Sequence, residues 1–297
     1  MADITAKMVK DLRECTGAGM MDCKKALSEA EGDMDTAIDI LRTKGLAALA
    51  KKAGRATNEG VIGGYVSDDG RTGVLVEVNC ETDFVARNAD FQSFVNDIAT
   101  QIAVTAPADV PSLLAQPYGS RPEITVEQYL GEIVGKLGEN MGIARFVRHE
   151  LDPAAGMVTV YIHGVGNIGV MVELASAPSG AAELAVFGKD IAMQIAATAP
   201  IAVSRDDVPA DVVEHELAIF RAQAAESGKP EQIQEKMATG RLQKFYKEVC
   251  LLEQPFVKDP DMTVDQYRAR TAKETGSEVA VARFERFVLG ETAAAPE

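Results

Sequence analysis

Glu81 and Asp83 stand two residues apart in the stretch Glu77-Val-Asn-Cys-Glu-Thr-Asp-Phe-Val-Ala-Arg-Asn88. Paired carboxylates are the raw material of general acid/base chemistry. The segment supplies no nucleophile and no oxyanion partner beside them, so bond-making chemistry is not expected there, and the chain is not read as an enzyme. What it does supply is Phe84, a large apolar residue in a polar run, flanked by Thr82, Asp83, Val85 and Arg87. An aromatic side chain at a strand end has two uses. It plugs the core beneath a following helix, or it stands out as a wedge aimed at another molecule.

Other reactive residue types form no constellation. His149, His163 and His215 fall in unrelated elements, and His163 ends a strand beside a glycine turn. Cys15, Cys23, Cys80 and Cys250 form no CxxC pair, so neither a metal site nor a redox motif is expected. No cofactor is expected either. Gly164-Val-Gly-Asn-Ile-Gly169 matches the dinucleotide fingerprint, but Val170-Met-Val-Glu-Leu174 alternates like a strand where that fingerprint needs a helix. It reads as a hairpin turn.

The elements that carry these residues begin with a helical head over 1–45. Ile4, Met8 and Leu12 recur at helical spacing behind Asp3 as N-cap. A second helix is expected over about 21–30 and a third from Met34, with Gly45 as its C-cap. Adjacent helix residues point about 100° apart. Met20 and Met21 therefore cannot both face inward, and an exposed methionine suits an adaptable contact. Residues 46–60 read as a helical tail and linker.

The remainder is duplicated. Asp97-Ile-Ala-Thr-Gln-Ile-Ala-Val-Thr-Ala-Pro107 recurs as Asp190-Ile-Ala-Met-Gln-Ile-Ala-Ala-Thr-Ala-Pro200, Thr125-Val-Glu-Gln-Tyr129 as Thr263-Val-Asp-Gln-Tyr267, and Ala144-Arg-Phe146 as Ala282-Arg-Phe284. Spacings place a short extra segment within 82–91 of the first copy and a long insertion between Pro200 and Thr263 of the second. Strands are expected over 61–66, 74–79 and 143–150, then 157–163, 169–175 and 279–289. Helices are expected over 91–104 and 129–137, then 182–197 and 267–273. The fold class is α+β, with two pseudo-symmetric subdomains, 61–152 and 153–205 with 251–290. In the insertion, 206–250, Val213, Leu217, Phe220 and Ala224 mark one helix and Ile233, Met237 and Phe245 a second, an antiparallel helical hairpin of coiled-coil kind. Such a protrusion packs back on the core or meets another chain. Residues 291–297 form a tail.

Composition narrows the partners. The 297 residues are 46% hydrophobic and 25% charged, with a formal net charge of −15. That balance opposes direct nucleic-acid or anionic-membrane binding, both of which want a cationic face. No stretch approaches the ~18 apolar residues of a membrane span, and the N-terminus has no apolar signal core. A cytoplasmic location is expected.

Leu12-Arg-Glu-Cys-Thr-Gly-Ala-Gly-Met-Met-Asp-Cys-Lys-Lys-Ala-Leu27 and the 77–88 stretch together resemble the two signature segments of the elongation factor Ts family. The resemblance covers nearly the whole chain. It implies a ubiquitin-associated-like three-helix module, a duplicated core, a hairpin insertion, and guanine nucleotide exchange on elongation factor Tu during translation elongation. It further implies that Thr82, Asp83, Phe84 and Val85 disturb the magnesium and phosphate site of elongation factor Tu. By the same resemblance Arg13, Met20 and Met21 grip its nucleotide-binding domain, Arg87 flanks the intruding turn, His163 touches another domain, and the hairpin holds a homodimer contact in some members. Family members often end in a further helix that reaches the partner, whereas Gly290-Glu-Thr-Ala-Ala-Ala-Pro-Glu297 is short and has no apolar face. The competing class is an adaptor whose head recruits a helical or ubiquitin-like partner while the core only scaffolds.

Overall fold

The computed structural model describes residues 4–152, 156–176 and 181–291. Its head holds three helices, α1 (Ala6–Thr16), α2 (Met20–Glu29) and α3 (Met34–Lys52). Thr5 caps α1 by accepting from the Met8 backbone N–H, while the expected cap, Asp3, lies outside the described residues. Gly17 closes α1 in the left-handed region at φ 68°. Leu12, Cys23, Ala26, Leu27 and Ala37 are fully buried and form a small core of their own.

The expected stop at Gly45 does not occur. Helix α3 runs through Gly45 to Lys52 and ends at Ala53. Gly45 is buried because it is a crossing point. A Cβ there would lie 3.1 Å from the backbone carbon of Gly131. Gly131 belongs to α7 (Val126–Leu137), so two backbones meet where neither residue has a side chain. The glycine marks close approach rather than termination, and the head is carried on the core by one continuous helix. Lys52 adds a hydrogen bond to the Val134 carbonyl at 3.1 Å.

Two antiparallel three-stranded sheets make the core. The first, in order β1-β2-β5, comprises β1 (Glu59–Val66), β2 (Thr72–Cys80) and β5 (Met141–Glu150). The second, in order β10-β7-β6, comprises β6 (Gly156–His163), β7 (Ile168–Ser176) and β10 (Val279–Val288). Each sheet is covered on its outer face by a long helix, α5 (Ala89–Thr105) and α8 (Ala181–Thr198) respectively. Strand β2 shows the alternation that two buried faces require. Val74, Val76, Val78 and Cys80 pack under α5, while Leu75 faces the other sheet with Ile62, Val158, Met171 and Phe287. Gly73 and Gly169 lie in that inner layer, where a Cβ would collide with Val158 and Ile62 of the facing sheet respectively.

The long connections hold more structure than periodicity suggested. In the first copy they contain α4 (Asp83–Ala86), α6 (Val110–Ala115) and a small hairpin of β3 (Pro117–Tyr118) and β4 (Arg121–Thr125). In the second, α9 (Ala210–Ala225) and α10 (Glu231–Val249) form the expected helical hairpin. A hairpin of β8 (Pro255–Phe256) and β9 (Asp259–Thr263) follows, then α11 (Val264–Thr275). Helices α7 and α11 start three residues ahead of the expected tyrosines because Thr125/Gln128 and Thr263/Gln266 form reciprocal capping boxes.

Helix interiors ordinarily gain up to about 1 kcal/mol on Gly→Ala. We expect that sign at Gly135, where a Cβ meets nothing within 4 Å, and the reverse at Gly131, where it meets Gly45 at 3.0 Å. Gly131→Ala should cost about 1–3 kcal/mol through overpacking. Urea unfolding of the two variants checks this, and a stabilised Gly131→Ala would show that the helices do not cross there.

Candidate functional site

Strand β2 ends at Cys80, and the chain turns at once into α4. Thr82 is the N-cap and accepts from the Val85 N–H at 3.4 Å. Val85 and Ala86 face inward and are buried. With Val85 and Ala86 turned inward, the two residues between the cap and Val85, Asp83 and Phe84, are left on the outer side of this one-turn helix. Phe84 is 84% exposed, the highest value of any large apolar side chain among the described residues. It does not fill the gap beneath α5, where Phe91 and Phe94 are already fully buried.

The turn is tied down on every side. Glu139, in the loop after α7, accepts from both the Thr82 N–H at 3.0 Å and the Thr82 hydroxyl at 2.6 Å. Glu81 accepts from the Asn140 N–H at 2.6 Å and pairs with Arg55 at 3.2 Å. The Asn140 hydrogen bond first, and then Arg55, hold the Glu81 carboxyl below its ordinary range. Gln92 donates to the Ala86 carbonyl at 2.5 Å, and Asn88 caps α5 through the Asp90 N–H at 2.8 Å. Asp83 and Arg87 pair at 3.1 Å across the turn, both largely in water. Such a pair contributes little to stability but fixes which way its charges lie.

Beneath the turn, the Cys80 thiol donates to the Thr82 carbonyl at 3.2 Å. Burial, with a contribution from the Glu139 charge, pushes this thiol up to about 12.

The other expected site residues arrive from two directions. Arg13 is exposed on α1, and Met20 and Met21 are 58% and 64% exposed at the start of α2. Both methionines point outward, where the angular argument required it of only one. The α1–α2 turn sits over Lys136 of α7, and Lys136 pairs with Asp90 at 2.8 Å, at the foot of α5. His163 is exposed at the end of β6, its ring Nδ1 2.9 Å from the Tyr161 hydroxyl. The Gly164–Gly166 turn beside it is the expected hairpin between antiparallel β6 and β7. Val165 at its tip is 62% exposed, and the Gly166 carbonyl accepts from the Ile62 N–H of β1 at 2.8 Å. Arg87, Gln92 and Asn96 line one wall of a cleft whose other wall is Gly164–Gly166, so the Phe84 turn and the His163 turn flank one surface. Sequence reasoning missed Glu139, Lys136 and Val165. For Val165 a signal existed, an apolar residue between two turn glycines.

Phe84, Met20, Met21 and Val165 are thus apolar points turned outward on rigid supports, four of the nine exposed large apolar side chains among the described residues. Among the described residues no cluster of His, Cys, Asp or Glu could hold a metal ion, and no helix is long and apolar enough to cross a membrane. A helical head on a duplicated α+β core, with its exposed apolar side chains at strand and helix ends, defines a modular protein built around contact points. Comparison with known proteins carries this further. The family model described as Elongation factor TS matches residues 81–291. Elongation factor Ts of Clostridium kluyveri is 51% identical over 288 residues, covering 97% of this chain and 93% of that relative. The Syntrophotalea carbinolica protein of the same name is equally similar, and that of Trichlorobacter lovleyi is 48% identical over 291 residues. The chain belongs to the elongation factor Ts family, proteins of translation elongation.

The anchoring of the turn has a measurable consequence in its thiols. At pH 8 a thiol titrating near 12 is thiolate in roughly one molecule in ten thousand, and burial likewise pushes Cys250 up to about 11. Iodoacetamide treatment of the native protein, read by peptide mass spectrometry, should modify exposed Cys15 well before Cys80 or Cys250. Equal labelling would mean that the floor of the Phe84 turn opens readily.

Proposed function

We propose that this chain is a cytoplasmic guanine nucleotide exchange factor that binds elongation factor Tu and accelerates GDP release, with Phe84 as the intruding group. The observation that carries the reading is a fully framed phenyl ring held 84% in water. Exposed aromatic surface on a rigid mount is costly to keep and is repaid only by a partner that buries it.

The mechanism follows from linkage. An exchange factor breaks no covalent bond. It must bind the empty partner more tightly than the nucleotide-bound one, so factor and nucleotide weaken each other by the same ratio. In elongation factor Tu, magnesium ties the phosphates to the protein, and moving its ligands removes the strongest local electrostatic hold. Phe84, steered by Thr82, Asp83 and Val85, displaces neighbours of that site without offering a ligand in exchange. Arg13, Met20 and Met21 bind the nucleotide-binding domain, Arg87 borders the intruding turn, and His163 with its hairpin tip reaches a second domain. These grips supply the free energy that intrusion consumes.

Burial of the ring contributes ~2 kcal/mol, equivalent to about thirtyfold in rate. Phe84→Ala should therefore slow release of a fluorescent GDP analogue at saturating factor by about that ratio, followed by stopped flow, with a smaller change in the half-saturating concentration. Wild-type release by this variant would remove the wedge. Loss of elongation factor Tu binding by the head, with some helical or ubiquitin-like ligand retained instead, would favour the adaptor reading.

We propose in addition that the α9–α10 hairpin joins two copies of the chain. Its helices bury only Ala224 and Ala238 fully, leaving Leu217, Phe220 and Met237 half-buried and Ile233 exposed. Its neck is closed independently by pairing of Ala202 with Cys250. Replacing residues 210–248 with a short Gly/Ser loop should halve the particle mass seen by light scattering. An unaltered number of chains per particle would sink the dimer.

A further inference from the structure

We infer that the C-terminal end of α7 is the positioning clamp for Phe84, with Glu139 as its principal residue, so that exchange depends on a carboxylate that never meets the partner's nucleotide. This rests on the reading of Phe84 given above.

The clamp grips the α4 segment at both ends. Glu139 spans two donors of Thr82, the backbone N–H at 3.0 Å and the hydroxyl at 2.6 Å. Thr82 is thereby held as N-cap, with its hydroxyl oxygen still facing the Val85 N–H. Three residues earlier, Lys136 pairs with Asp90 at 2.8 Å, just beyond the other end of the turn. Asn140, one residue later, gives its backbone N–H to Glu81 at 2.6 Å and its side-chain amide to the Arg55 carbonyl at 2.9 Å. The loop that carries these groups is itself fixed, because Gly138 ends α7 in the left-handed region at φ 83° and Met141 opens β5 beside Cys80.

A one-turn helix has no cooperative length to hold its own direction, since nucleation costs more than one hydrogen bond returns. Its aim must come from outside. The ring direction is set by the Thr82 backbone, and the strongest external bonds to that backbone come from Glu139, a charged acceptor bonded twice. Without Glu139 the Thr82 hydroxyl is free to rotate, and the turn samples directions in which Phe84 misses its target. Docking through Arg13, Met20 and Met21 and through the His163 turn should be unaffected, because the hydrogen bonds of Glu139 go to Thr82 and to none of these groups. The effect therefore falls on the rate at saturation, which a general loss of stability would not produce by itself.

The test is stopped-flow release of fluorescent GDP from elongation factor Tu with four versions of the full chain: wild type, Glu139→Ala, Phe84→Ala and the double variant. Glu139→Ala should lower the saturating rate about tenfold, the loss expected for one charge-assisted hydrogen bond. The half-saturating concentration should stay within about twofold. In the Phe84→Ala background the second substitution should change nothing, because the group it aims is gone. Glu139→Gln retains one acceptor but loses the charge, so its saturating rate should fall between those of wild type and Glu139→Ala, about threefold below wild type, and that shortfall decides the matter should Glu139→Ala fail to fold. Wild-type rates for the folded Glu139 variants, or equal slowing with and without Phe84, would overturn the clamp while leaving the wedge standing. A Phe84→Ala protein as fast as wild type would overturn both.

Discussion

A buried ion pair on the inner face of the first sheet, completed by groups from the second, is the constraint on which the rest of the molecule depends. Glu77 of β2 has no solvent exposure and meets the Arg145 Nε of β5 at 2.8 Å. A carboxylate removed from water is tolerable only when its acceptors are filled. Here the remaining bonds come from the Asn79 amide at 3.2 Å and the Gly290 N–H at 2.9 Å, the latter from just beyond β10. One side chain of the first copy is therefore completed by the end of the second. Arg145 in turn lies over the Phe287 ring at 4.0 Å and donates to the Val288 carbonyl at 3.2 Å. Neither sheet can slide without stranding a charge. Strand β2 is the beneficiary: three residues past Glu77 it ends at Cys80, and the chain goes straight on to Thr82 and the exposed ring of Phe84.

Duplication explains both the symmetry of this core and where it breaks. Glu173 and Arg283 repeat the Glu77–Arg145 pair at 2.7 Å in the second copy. The Tyr118–Tyr129 stack at 4.0 Å recurs as Phe256–Tyr267 at 4.4 Å. Gln101 and Gln194 donate to the equivalent proline carbonyls, Pro117 and Pro255, at 3.0 and 3.1 Å. Even the strained residues before the prolines match, with Ala106 and Ala199 at φ 45° and 46°. The second copy does not keep everything. Phe287, which stacks under Arg145, has His149 as its counterpart, set 3.5 Å from both Glu173 and Glu285. The larger departures are additions at the rim, the α4 turn in one copy and the helical hairpin in the other. Core interactions are shared because both copies bury them; rim segments diverge because nothing packs them into agreement.

What could be read from the sequence divides along the same line. Strands, outer helices, the hairpin insertion and the turn nature of Gly164–Gly169 all announced themselves, because period and repetition record burial directly. Gly45 misled because a glycine after an apolar helical face ordinarily means a C-cap, and only the position of Gly131 in space reveals a crossing. The β3–β4 and β8–β9 hairpins went unseen because β3 and β8 are two residues long and β4 and β9, at five residues, show no alternation of buried and exposed positions. Thr125-Val-Glu-Gln128 carries the pattern of a capping box, but read only as a repeat it left the start of α7 three residues late. At the site, the stretch around Phe84 was conspicuous by type, yet its exposure depends on Val85 and Ala86 taking the inward positions and on Phe91 and Phe94 already filling the space below α5. Glu139 was invisible for a different reason. A carboxylate 57 residues away from the threonine it holds leaves no local pattern.

In the exchange reading, the division of labour between grip and wedge follows from these supports. A group that pays for its own ordering when it binds has that much less free energy to spend on the partner's nucleotide site. Phe84 has two side-chain dihedrals and a backbone already fixed by Thr82, Glu139 and the buried pair Val85 and Ala86, so little freedom remains to be lost on intrusion. Met20 and Met21 are the opposite case, flexible thioethers at a helix start on a head with its own small core, suited to conforming to a surface rather than deforming it. The head nonetheless cannot wander, because α3 passes unbroken from its core to the Gly45–Gly131 crossing. Adaptable contacts and a stiff one are thus held in one frame, and the stiffness resides at the group that the exchange reading sends into the partner.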